Sequence, residues 1–594
     1  MASTVRPLPK TKGGAFLLET RTPEEIFTPE DFTEEHLAIA RATDEFWERE
    51  VAPRLEALQH QEPGVGPELL RKSAELGLTA VTVPERYGGM EMDLISSMIV
   101  AERLARDGSY AAWHGAHSGI GTLPVLLFGT EEQKRKYLPK LARGEMIGAY
   151  CLTEPHAGSD ALAIKTRADR SPDGSHYILN GQKMWITNGG AADLFTVFAK
   201  VEGEKFTAFL VERAFGGVTS GAEEKKMGIK GSSTTALYFD NVRVPVENVL
   251  GEIGRGHVIA FNILNLGRLK LGPFAVGGAK EVLAASLRYS KERKAFGKPI
   301  CEFGLIRHKL AEMAVRIFAA ETMSYRVAGM IESLLEGFSW DQPDAAQVKL
   351  KAVEEFAAEC SYVKVFASEM LDYVADEGVQ IHGGYGYHQD YLVERAYRDA
   401  RINRIFEGTN EINRLLATGM LLKRAQRGQL SLAEAVKKLQ SELLSPPAIA
   451  EARGEPLEEE GHLASNAKKI ALLVMGAAWQ RYLDQLEEQQ EILAAITDIS
   501  IQAFAAESVW LRARKLATRG RADQAADLCA VFVREALEQA ETAARQALAA
   551  CAEGDSLRVA LAALRRLART EPANLIELRR RIAQRLLDAG RYVV

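Results

Sequence analysis

Phe406-Glu407-Gly408-Thr409-Asn410 sets one carboxylate between an aromatic ring and a glycine, with a hydroxyl two residues on. A carboxylate crowded by apolar groups loses solvation and becomes a base near neutral pH, while the glycine lets a ligand approach the backbone. Just upstream run Gln380-Ile381-His382-Gly383-Gly384-Tyr385-Gly386 and an arginine-rich stretch holding Arg395, Arg398, Arg401 and Arg404. Far upstream lie Tyr150-Cys151-Leu152-Thr153-Glu154-Pro155-His156-Ala157-Gly158-Ser159-Asp160 and Lys183-Met184-Trp185-Ile186-Thr187.

Around these motifs the chain divides by its periodicity. Residues 1–29 read as an irregular lead-in and 30–148 as a helical domain. Residues 149–255 carry short β-type runs such as Thr207-Ala208-Phe209-Leu210-Val211, separated by turns like Ser171-Pro172-Asp173-Gly174. Residues 256–430 return to helices and hold the glutamate motif. Residues 431–464, broken by Pro446-Pro447, read as a solvated linker, and 465–594 as a helical extension. Helices, then strands, then helices give an α+β class: a β domain between helical ones, the second a four-helix-type domain, plus the extension. Within the extension, Ile496 to Ser508 lines up with Leu310 to Thr322, and an arginine follows each at the same offset, Arg512 and Arg326. Either the extension is a degenerate copy of the helical domain, or alanine-rich amphipathic helices are alike by chance.

The 594 residues, 47% hydrophobic and 26% charged, suffice for more than one packed domain. A net charge of −6 argues against a nucleic-acid partner. Arg565, Arg566, Arg569, Arg579, Arg580 and Arg581 make the last helices basic, but acids intersperse them, as on solvated faces. Cys151, Cys301, Cys360, Cys529 and Cys551 form no Cys-x-x-Cys pair, so neither a disulfide framework nor a metal site is signalled. A cytoplasmic setting is expected. No signal-peptide core, bilayer-length apolar run or Ser-Lys-Leu ending is read in the chain.

Chemistry can be assigned to several of these stretches. The Gly158-Ser159-Asp160 turn exposes N–H groups and a hydroxyl. Trp185 and Thr187, expected on one strand face, offer a flat ring and a hydroxyl. A flavin needs both a stacking surface and hydrogen bonds to its ring nitrogens. Lys291 to Lys298 puts Arg293 and Phe296 in a cationic cluster able to hold a pyrophosphate. Gln380-x-x-Gly383-Gly384 is not a Rossmann fingerprint, because no βαβ pattern surrounds it.

In this order, the motifs resemble the acyl-CoA dehydrogenase family. Glu223 to Lys230, Phe303 to Ile306 and Ile405 to Asn410, with the helical extension, are similar to its very-long-chain branch. The resemblance implies FAD-dependent α,β-dehydrogenation of a long- or very-long-chain acyl-CoA to the trans-2-enoyl-CoA, in fatty acid β-oxidation. Glu407 would be the α-proton base, and flavin N5 would take the hydride. Cofactor contacts are implied for Tyr150, Leu152, Thr153, Gly158, Ser159, Trp185, Thr187, Thr409 and Asn410. Across a subunit interface they are implied for Arg293, Phe296, Gln380, Gly383 and Gly384. Ser159, Asn265, Arg268 and Gly408 are implied on the substrate side. Ala112 and Ala116 stand where some members close the acyl pocket with polar side chains, so a deeper pocket is expected. Some members carry the base at the position of Gly267, which here has no side chain. Implied partners are an electron-transfer flavoprotein and a second copy of the chain in a homodimer. The acidic 431–462 stretch is a poor basic anchor, which argues against membrane association. Two alternatives stay open: an acyl-CoA oxidase, and a catalytically competent relative with an added scaffold role.

Overall fold

Runs rich in β-branched and aromatic residues pair as strands where the sequence period is two. In the computed structural model, which describes residues 8–445 and 457–594, they are β1 Gly148–Cys151, β2 Arg167–Arg170, β3 His176–Thr187, β4 Leu194–Val201, β5 Lys205–Glu212, β6 Val218–Glu223, β7 Thr234–Pro245 and β8 Val249–Leu250. The sheet order is β6-β7-β3-β2-β4-β5-β8, and β1 pairs in parallel with β4. β4 and β5 are buried along nearly their whole length, with Phe195, Phe198 and Phe209 at the centre. Continuous burial suits their near-continuous apolar runs.

Helices flank the sheet on either side in sequence. Those of the first domain start on side-chain caps: Thr33 accepts the His36 N–H at 3.3 Å, and Asp93 accepts the Ser96 N–H at 2.8 Å. After the sheet, the long helices Gly256–Glu292, Gly304–Ser333, Ala357–His382 and Asn410–Gln426 pack against one another. This α+β arrangement puts the glutamate loop between the last helix and the sheet domain.

The chain departs from expectation outside that frame. From residue 8 on, the irregular lead-in is pinned to the helical domain: Phe16, Leu17, Ile26 and Phe27 are buried, and the Gly13 N–H donates to Glu355 at 2.9 Å. The stretch 431–464 is not simply a linker. Helix Leu432–Leu444 occupies its first part, because Leu432, Val436, Leu439 and Leu443 recur on one face. Helix Glu458–Tyr482 starts inside its end, while Pro446-Pro447 lie outside the described residues. Helix Gln490–Thr518 is long and apolar enough to cross a bilayer by composition, contrary to the sequence reading. It is instead the buried centre of the extension, and its Glu507 and Arg512 are both ion-paired. Two arginines of the basic C-terminal cluster are engaged internally: Arg579 pairs with Glu312 at 2.6 Å, and Arg581 Nε donates to Asp527 at 3.0 Å.

The aligned segments meet each other reciprocally. Arg326 donates to Glu507 at 2.6 Å and Ser508 at 2.8 Å, while Arg512 donates to Glu321 at 2.6 Å and Thr322 at 3.1 Å. Arg326 lies 4.5 Å over the Phe504 ring, and Arg512 lies 4.5 Å over Phe318. The glutamates are also bound alike from the preceding helices, Glu321 by Lys280 and Glu507 by Lys468.

Candidate active site

Thr409 begins helix Asn410–Gln426 by accepting the Ile412 N–H at 3.3 Å. Glu407 stands two residues before it with φ of 58°. For a residue with a side chain, the left-handed region costs on the order of 1–3 kcal/mol and persists only where surroundings enforce it. Here side chains from three helices grip the loop carbonyls. Arg268 Nε donates to Glu407 O at 3.2 Å, and Lys364 Nζ to Gly408 O at 2.8 Å. Asn413 Nδ2 donates to Gly408 O at 2.8 Å and Thr409 O at 3.0 Å. With its carbonyls held, the loop leaves other groups free. The Glu407 N–H meets no acceptor among the described residues. Its Oε2 is buried without a hydrogen bond.

The carboxylate rests on Gly267. A Cβ there would lie 2.6 Å from Oε2 and 2.8 Å from Cδ of Glu407, so any side chain beneath it pushes the carboxylate aside. Burial pushes the Glu407 pKa up to about 7, against the opposing pull of Arg268 and Lys364. The same burial pushes Lys364 down to about 7. Sequence reasoning missed Lys364. It lies mid-helix in an alanine-rich segment with no local motif, and only the fold brings it under the loop.

A cavity of about 1620 Å³ opens over Glu407. Tyr150, Leu152, Thr153, Gly158, Ser159, Trp185, Thr187, Asn265, Arg268, Gly408 and Thr409 all line it, as expected from the sequence. Trp185 departs from the expected alternation. A bulge between Lys183 and Ile186 shifts the β3–β7 register, and Trp185 takes φ of 59°. The bulge turns the indole out of the sheet, 55% exposed, at the cavity edge. Asn410 is a correction: its side chain faces away from the cavity. Its amide donates to Ser368 at 3.1 Å and Glu369 at 3.0 Å and accepts from Lys364 at 2.6 Å, so it braces the loop from behind.

The cavity wall from Leu152 to Ala157 is held by a buried ion pair. Lys183 Nζ lies 2.7 Å from Glu154 and donates to Leu152 O at 3.1 Å. Glu154 also accepts the Lys165 N–H at 2.6 Å and the Thr166 N–H at 3.1 Å. With its lone pairs filled, the carboxylate stays charged and its pKa is lowered: burial works against this, but Lys183 and the hydrogen bonds outweigh it.

Four family domains match this chain. The acyl-CoA dehydrogenase N-terminal domain matches residues 33–145, the middle domain 149–242 and the C-terminal domain 254–421. A second acyl-CoA dehydrogenase C-terminal domain matches 466–566. The chain belongs to the acyl-CoA dehydrogenase family. It is 49% identical over 587 residues to a probable acyl-CoA dehydrogenase of Bacillus subtilis, covering 98% of each. It is 39% identical to the mitochondrial very long-chain specific acyl-CoA dehydrogenase of Bos taurus, over 75% of this chain and 70% of that one. A crystal structure of an acyl-CoA dehydrogenase complexed with FAD from Bacillus anthracis is similar over 98% of this chain and 100% of that chain, at TM-score 0.96 and 48% identity.

Acyl-CoA dehydrogenases are FAD enzymes, and the residues present fit that group. An exposed indole at a bulge, an unpartnered N–H and an orphaned carboxylate oxygen all border one large cavity. The remaining expected cofactor residues of this acyl-CoA dehydrogenase do not line it. Arg293, Phe296, Gln380, Gly383 and Gly384 are exposed. Phe296 tips a hairpin at 95% exposure, and Arg293 lies 5.7 Å over the Tyr385 ring. Within one chain they form a separate aromatic and cationic patch.

A second, narrower cavity of about 160 Å³ runs from Glu407 into the helical domains. Ala112 and Ala116 line it, together with Gly115 and Gly119. The spacing 112, 115, 116, 119 is that of one helical face, so the small stripe was readable beyond the two alanines named from the sequence.

Proposed function

We propose that the chain removes hydrogen across the α,β bond of long- or very-long-chain acyl-CoA thioesters, with Glu407 as the α-proton base. The observation that carries this is the Glu407 carboxylate: unpaired, poised near neutral pH and placed where the wide and narrow cavities meet. An α-proton next to a thioester is weakly acidic, so a desolvated base must stand beside it. The free Glu407 N–H is a donor for the thioester oxygen as charge develops there. FAD, when bound, supplies the two-electron acceptor for the β-hydride. Trp185 and Thr187 border its place. The 1620 Å³ cavity has room for the CoA portion beside Ser159, Asn265 and Arg268.

Support for a long chain comes from the small-residue face 112–119 and from the extension shared with the family's second C-terminal domain. The exposed Arg293–Phe296 patch supports a homodimer in which each copy completes its partner's cofactor site. An electron-transfer flavoprotein is the proposed acceptor. The doubled pairings of Arg326 and Arg512 support the extension as a degenerate copy of the helical domain. It has no Phe-Glu-Gly-Thr motif and is therefore non-catalytic. Anaerobic bleaching of the purified protein's flavin by acyl-CoAs from butyryl to stearoyl tests the whole reading. Fast bleaching that favours long chains is expected, and a yellow protein that none of them bleaches would overturn it.

A further inference from the structure

The narrow cavity below Glu407 carries one charge that nothing in the protein answers. Lys270 lies one helical turn beyond Gly267 on helix Gly256–Glu292, so both contribute to the same wall. It lines the narrow cavity and two smaller ones beyond it, of about 50 and 10 Å³, and thus stands where the three converge. Among the described residues its ammonium has no hydrogen bond, ion pair or ring contact. Apart from Glu407 at the mouth of the narrow cavity, several other charges around these cavities are engaged. Asp107 pairs with Arg395 at 3.2 Å, and Asp399 accepts the Ile229 N–H. Glu332 accepts the Leu94 N–H at 2.9 Å, and Lys349 sits 5.0 Å over the Phe338 ring. His114, a neighbour of Lys270, has Nε2 at 3.0 Å from Leu78 O and Nδ1 at 3.5 Å from the Ser118 hydroxyl, and is held neutral by burial, its pKa pushed down to about 3.

Lys270 is partly buried, and an ammonium that faces a cavity without a protein partner is answered only by water or by a ligand in that cavity. Burial alone lowers Lys270 to about 8, which leaves it mostly charged at neutral pH. A plain methyl-ended chain would lie against this charge and gain nothing from it. We propose that Lys270 binds an ω-carboxylate on acyl chains short enough to end beside it, so that the narrow cavity selects such acyl-CoA thioesters in addition to long straight chains. An anion there supplies the missing counter-charge, and the small stripe 112–119 leaves the path to it open. This rests on reading the narrow cavity as the acyl tunnel of the proposed reaction.

The test compares two series on the FAD-loaded protein, straight acyl-CoAs and ω-carboxyacyl-CoAs of matched length, by the rate of anaerobic flavin bleaching and by KM. In the parent protein, the ω-carboxy series is favoured at the lengths that reach Lys270. Lys270→Met, which keeps length and apolarity, lowers that preference by about ten- to a hundredfold, the range of a charge-assisted contact. Lys270→Gln serves as a second, polar and neutral variant expected to do the same. If both variants leave the ratio of the two series unchanged while straight acyl-CoAs still bleach the flavin, the proposal is overturned and the acyl-CoA reading stands. If neither series bleaches the parent, the acyl-CoA reading falls and this proposal falls with it.

Discussion

Glu407 concentrates the chemistry because three unfavourable circumstances coincide on it: a left-handed backbone, a buried unpartnered oxygen and a pKa raised to about 7. The base must be ionised to act, so kcat/KM should climb as pH rises through about 7, and Glu407→Gln should abolish turnover while keeping the flavin. The same shift has a stability consequence of definite sign. The folded state favours the protonated carboxyl, a contribution present below the unfolded value near 4.5 and lost as pH rises through about 7. Glu407→Gln stays neutral throughout. Its Tm should therefore exceed the parent's by a margin that widens between those two pH values, as calorimetry at several pH values would read. Gly267 is the companion test. A methyl 2.6 Å from Oε2 must displace the carboxylate, so Gly267→Ala should cost about a hundredfold in kcat at normal flavin content. An unchanged kcat would mean that the carboxylate has another productive position.

At the scale of elements, the site is a loop gripped by helices facing a bulged strand. Lys364 reaches the loop from helix Ala357–His382, holding Gly408 O and Asn410 Oδ1. Its positive charge also pulls the Glu407 pKa down. Lys364→Met should therefore move the rising limb of the pH–rate profile upward by about one unit, besides loosening the loop. A drop in Tm with an unmoved limb would reduce Lys364 to a brace. What could be read in advance follows from how local each signal is. Glu407, Trp185 and the Gly158-Ser159 turn sit in short motifs, and the strands around Phe195 and Phe209 declare themselves by composition. Lys364 and the Trp185 bulge do not. The first depends on which helix packs behind the loop, and the second on cross-strand register that no single strand encodes. The stretch after residue 430 misled for a related reason: Pro446-Pro447 dominated its composition, while the Leu432–Leu443 period was the better guide.

Across the whole molecule, the extension covers helix Gly304–Ser333 with side chains that echo those it covers. Phe318, Glu321, Thr322 and Arg326 meet Phe504, Glu507, Ser508 and Arg512 in a two-fold manner. Removing residues 431–594 would uncover a surface already complementary to itself, since each covered residue resembles its cover. In light scattering the truncated chain should therefore form a larger assembly than the dimer proposed for the full chain, or precipitate. A soluble truncated dimer would argue that the matching residues are incidental.

That two-fold contact also bears on dilution. Between separate chains, an interface of this kind comes apart as concentration falls, and both copies must keep every residue it needs. Joined within one chain, the two faces stay at a fixed effective concentration set by the connecting segment. On the proposed duplication, the covering half is free to lose catalytic residues, so long as it keeps the arginine, glutamate and phenylalanine that fit its neighbour.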